Sequence, residues 1–241
     1  MTVDTEDTSM NFLDHLKEIR QKLIYSIILN ELKIQNNSLK EPIFIICVYL
    51  SLLVIFPLSL GGNSNLLKDF SPAIIWICAL ITFISAIEKF FSSDASEGVL
   101  EHYVLSTIPL SLIIVIKVFC YWISVGLPLI ILFPIISLFL NLPFNLVGII
   151  CFSLTIGTLS FSFIGIMGSA LVLGAKKSNL IVILLVLPLT IPVLIFGIST
   201  TTFSLEGISP LTSIYLQCMS LSFLIAVVPL ITSKAIKIYI E

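Results

Sequence analysis

A chain of 241 residues that is 58% hydrophobic and only 11% charged, with a mean hydropathy of +1.15, cannot hide its apolar surface in a water-soluble fold, where about 25% charged is ordinary. A net charge of −2, with lysines and arginines few and scattered, excludes a nucleic-acid footprint. What remains is an integral membrane protein, all-α and polytopic.

The N-terminal MTVDTEDTSMN is acidic and lacks the basic-then-apolar pattern of a cleaved signal peptide. Residues 1–10 are expected to form a disordered cytoplasmic tail, which leaves the first span as its own insertion signal. In residues 11–40, Phe12, Leu16, Ile19, Leu23 and Ile27 recur at helical spacing, while Asp14, Lys17, Glu18, Gln21 and Lys22 fall largely elsewhere. That pattern predicts an amphipathic helix lying in the membrane interface or packed on the cytoplasmic ends of the spans. Residues 41–241 form the membrane domain.

Crossing roughly 30 Å of hydrocarbon takes about 20 mostly apolar residues. Six segments meet that length, at about 42–60, 71–91, 117–139, 144–174, 179–199 and 212–232. The apolar run at 110–140 is too long for one perpendicular helix and too short for two, so residues 110–116 are expected to be a cytoplasmic extension or a bend. The fourth span is rich in small residues, Ser153, Gly157, Ser160, Gly165, Gly168 and Ser169, which let helices approach closely. Pro188 and Pro192 interrupt the fifth and mark a bend, a candidate hinge; Pro128 and Pro134 act similarly in the third.

Lysine and arginine concentrate on cytoplasmic segments. With both termini in the cytoplasm, eleven of the twelve basic residues fall on that side and only Lys68 opposes them. The segment SSDASEGVLEHYVLSTIP, residues 92–109, then faces the cytoplasm between the second and third spans.

Little catalytic chemistry is present. No H-E-x-x-H pair occurs, and neither His15 nor His102 lies in a span. GSALVLGAKKS, residues 168–178, lacks the spacing of a phosphate loop and reads as a helix end with Lys176 and Lys177 as anchors. Glu88, Lys89 and Lys117 sit near cytoplasmic span ends, where structural roles and snorkelling explain them better than proton relay. The cysteines at 47, 78, 120, 151 and 218 lie in apolar runs with no C-x-x-C pair, as small buried residues do. The chain is not expected to be an enzyme or to bind a metal.

An interfacial N-terminal helix, six spans and a charged segment between spans two and three resemble the type-2 ABC-exporter permeases. In that family the segment is a coupling helix gripped by an ATPase subunit. The resemblance assigns this role to Asp94, Glu97, Gly98, Leu100 and Glu101, with Pro109 following. It also implies that the Leu/Val side enters a groove on the ATPase while the acidic side stays wet.

The runs FPLSLG (56–61), PAIIWICALITFISAIEKFF (72–91), KVFCYW with GLPLIILFP (117–134) and LPLTIPVLIFG (187–197) further resemble the haem exporter protein B family. The likeness covers about residues 25–240. Ser92 and Ser93 replace the family's usual Arg-Asp pair, Val99 a small Ser or Thr, and Tyr121 a histidine before Trp122.

The resemblance implies the membrane subunit of an ABC complex for cytochrome c maturation in a bacterial inner membrane, or in a mitochondrial inner membrane. Its expected partners are an ABC ATP-binding subunit, a haem-handling membrane subunit, a haem chaperone and the lipid bilayer. ATP enters only through the partner subunit, and haem only as a transported or handled ligand. Haem iron is held by His, Cys, Met or Tyr. Of these, Cys120, Met167 and Met219 remain as ligand types, each better explained by packing, so a mechanical role in chaperone release is preferred. The alternatives are an exporter of a lipid or another small apolar molecule, and a passive scaffold.

Overall fold

The computed structural model describes residues 40–61, 64–87, 98–106, 108–173 and 178–240. The expected tail (1–10), nearly all of the interfacial helix (11–39), and Glu88, Lys89, Ser92, Ser93, Asp94, Glu97, Lys176 and Lys177 lie outside them.

The helices in chain order are α1 (Lys40–Ser59), α2 (Ser64–Ile87), α3 (Val99–Leu105), α4 (Leu110–Phe139), α5 (Val147–Leu171), α6 (Ser178–Leu205) and α7 (Leu211–Ile240), with a 3-10 turn at Phe144–Leu146. No strand occurs among the described residues. Among the described residues five helices are long and apolar enough to cross a membrane; α1 contributes a shorter apolar stretch, Ile43–Ser59. At 1.5 Å per residue, the 20 residues of α1 still reach about 30 Å.

Several helices outrun their expected limits. The run at 110–139 is one unbroken 30-residue helix entered through Pro109, so residues 110–116 extend it. The prolines at 188 and 192 are carried inside a continuous α6, on its exposed side. α2 begins at Ser64, seven residues before the expected start. Its Pro72 has no N–H for the carbonyl of Lys68, which would ordinarily break the helix. The Ser71 hydroxyl donates to that same carbonyl at 2.8 Å and fills the gap.

α5 is the central post, packed against α2, α4, α6 and α7. Every residue from Phe161 to Ala170 is buried. Its serines cost little there, because Ser160, Ser162 and Ser169 donate back to carbonyls of their own helix at 2.9–3.0 Å. Its glycines are where neighbours come closest. A Cβ at Gly157 would overlap the Trp76 ring, at Gly165 the Ile87 side chain, and at Gly168 that of Val186.

Candidate coupling segment and the core behind it

Gly98 opens the short helix with φ 70° and ψ 11°, a left-handed conformation that glycine adopts without penalty. From there Val99–Leu105 makes seven residues of helix. Leu100, 1% exposed, belongs to the protein's own core, and α3 packs on both α4 and α7. One turn apart on the other side stand Glu101, exposed, and Leu105, 82% exposed. The leucine expected to enter a partner's groove therefore roots the segment instead, and Leu105 is the apolar residue that faces outward.

The return into α4 is tightly built. The Ser106 hydroxyl lies 2.8 Å from the carbonyl of Tyr103 and 3.2 Å from that of Ile108. The ammonium of Lys117, one of α4's buried residues, lies over the Tyr103 ring at 5.2 Å from its centroid. This cation–π contact covers a charge that was expected to snorkel outward. It ties the short helix to α4 through the two side chains.

Behind the segment, two tryptophans lock the bundle. Trp76 is fully buried, and its indole N–H donates to Thr201 Oγ1 at 3.1 Å. Its ring lies against Gly157 of α5 and Gly197 of α6 and meets Phe161 edge-on at 6.2 Å. Trp122 likewise donates to Thr158 Oγ1 at 3.0 Å, joining α4 to α5. The tryptophans' sequence signal is their place: both sit inside spans, away from the interfacial belt where the residue usually lies, so each indole N–H needs an internal acceptor.

The haem-ligand types are not gathered. Cys120 and Met167 are core residues of different helices, and Met219 is 68% exposed on α7. Tyr121 is turned into packing, edge-on to Phe83 at 6.2 Å, with its hydroxyl 3.4 Å from the Phe83 carbonyl. Among the described residues no group of three or more His, Cys, Asp or Glu stands where it could hold a metal ion. None of the five cysteines is in a disulfide; Cys47 is exposed and Cys78 and Cys120 are buried.

Hydrocarbon-length helices around a buried post, with a short helix folded under one end, define a polytopic helical membrane protein. A family model described as CcmB protein matches residues 22–239. The chain is 36% identical to heme exporter protein B of Pseudomonas aeruginosa over 171 residues, 71% of this chain and 75% of that protein. It is 37% identical to heme exporter protein B of Haemophilus influenzae over 177 residues, 73% of this chain and 80% of that one. The protein of the same name from Paracoccus denitrificans is 29% identical over 79% of this chain and 87% of its own length. The chain belongs to the CcmB family.

Proposed function

We propose that this chain is the membrane subunit of an ABC transporter complex serving cytochrome c maturation, moved by ATP hydrolysis in a partner subunit and not itself catalytic. Haem enters this reading through the relatives' name, as cargo rather than as a resident cofactor.

The observation that carries the coupling is the two-sidedness of α3. Glu101 and Leu105 face outward, while Leu100 and the Tyr103–Lys117 contact root the helix on its neighbours. A partner that grips the outer side moves α4 and α7 with it. Asp94, Glu97, Gly98 and Glu101 supply the acidic grip and its turn, and Leu100 transmits the force inward.

The bias of lysine and arginine in the sequence supports a cytoplasmic position for α3 and both termini, and the reading takes a bacterial inner membrane as the site. The scattering of Cys120, Met167 and Met219 favours mechanical release of a haem-loaded chaperone, through a haem-handling membrane subunit, over tight haem binding in this chain.

The test uses the complex from its native host. Glu97→Lys together with Glu101→Lys should lower the co-purifying ATP-binding subunit by roughly tenfold, the scale of losing charge-assisted contacts. Membrane insertion should be unchanged and c-type cytochromes should fall. Undiminished recovery of the ATPase subunit would overturn the reading. Intact c-type cytochromes despite its loss would point to an exporter with another cargo.

A further inference from the structure

At the end of the bundle opposite α3, helices α2 and α6 part. One turn deeper they are held together where the Trp76 indole meets Gly197 and Thr201. Beyond that lock a cavity of about 570 Å³ opens between them. Asn65, Lys68, Asp69 and Pro72 reach it from one face of α2, at helical spacing. Thr202 reaches it from α6, and Glu206 from the turn that follows.

The charges are the telling part. The three connections at this end (residues 60–63, 140–146 and 206–210), with the helix turns that flank them, carry three charged residues, Lys68, Asp69 and Glu206. All three line this one cavity. All are exposed, and no ion pair among the described residues uses any of them. One ammonium and two carboxylates around a shared space match a ligand that carries an anion and a cation together. A lone anion meets two like charges there, and a lone cation meets Lys68. Leu66 and Phe70, 42% and 54% exposed on α2 beside the cavity, continue it into an apolar surface.

We propose that this cavity binds the phosphoethanolamine headgroup of a membrane phospholipid. The phosphate is held by Lys68, and the primary ammonium by Asp69 and Glu206. The acyl chains run down past Leu66 and Phe70. An ammonium with three N–H donors can satisfy two carboxylates, whereas a trimethylammonium has none to give. A glycerol headgroup has no ammonium, so it leaves its phosphate charge unbalanced and both carboxylates without a cation at a site already net negative. The inference does not depend on the coupling role of α3.

The test uses the purified complex in detergent, titrated with dihexanoyl phosphatidylethanolamine, phosphatidylcholine or phosphatidylglycerol while thermal unfolding is followed. The ethanolamine lipid should act at roughly tenfold lower concentration than the other two, the scale of its charge-assisted hydrogen bonds. Asp69→Asn with Glu206→Gln should erase that gap, and Lys68→Met should weaken the ethanolamine lipid. These side chains are exposed, so the variants should fold, and their unfolding temperature without added lipid checks it. Equal action of the three lipids on the unaltered protein would overturn the proposal, as would a gap that survives the double variant. A site for a basic segment of a partner protein would show no headgroup preference while the double variant sheds that partner from the complex; that outcome also overturns it.

Discussion

Gln217 sits fully buried on α7, and the Ser153 hydroxyl of α5 donates to its Oε1 at 2.8 Å. Among the described residues its Nε2 meets no hydrogen-bond partner, nor do the hydroxyls of Ser220 and Thr232 on the same helix. An unpaired buried amide costs about 1–3 kcal/mol, whereas replacing both partners by apolar groups can be nearly neutral. Ser153→Ala alone should therefore destabilise the full chain by about 1 kcal/mol, because it orphans Oε1 as well. Ser153→Ala with Gln217→Met should return stability to within about 1 kcal/mol of the original or above it. Unfolding of the purified protein in detergent measures both; losses that simply add would refute the account. The glutamine stands out in the apolar run TSIYLQCMSLSF, but nothing in one sequence says that Ser153, 64 positions away, faces it.

At the level of single elements, α3 shows what periodicity can and cannot tell. Its helical character and its charge are readable, because GVLEHYVL alternates apolar and polar residues at helical spacing. Which leucine faces the protein's own core is not readable, since Leu100 and Leu105 are chemically the same side chain. Leu100→Ala should cost about 2–5 kcal/mol of stability as a core truncation. Leu105→Ala should leave stability within about 0.5 kcal/mol, as a surface change does, and lower recovery of the ATP-binding subunit. Thermal unfolding and co-purification, run on both variants, separate root from grip; equal effects on the two readouts would remove the distinction. Span limits agree within a few residues with the helix ends near 60, 139, 144 and 179, while the helices run six to eight residues past the limits at 71, 199 and 232, because a helix continues where apolar composition stops. The run at 110–140 was ambiguous for a related reason, since hydropathy is blind to whether a long helix bends.

For the molecule as a whole, the packing converges on one indole. Trp76 joins α2, α5 and α6 through two glycines and one hydroxyl. The small residues of the fourth span announced close approach, but the ring filling the space came from another span. Gly197→Ala forces a Cβ into that ring and should destabilise the protein by about 1–3 kcal/mol, as overpacking does. The bulkier Gly197→Val should keep the protein from accumulating in the membrane. Normal accumulation and unfolding temperature of Gly197→Ala would show that the three helices yield more easily than this packing implies.

The hydroxyl of Ser71 has a reach out of proportion to its size. By standing in for the one proton Pro72 lacks, it lets the helix run on for two further turns toward Ser64. Those two turns hold Asn65, Lys68 and Asp69 on a rigid rail at helical spacing. Unwound, the same residues would be a strand of slack chain with no fixed distance between their charges. The spacing of the charges on α2's side of the cavity thus leans on a single borrowed donor.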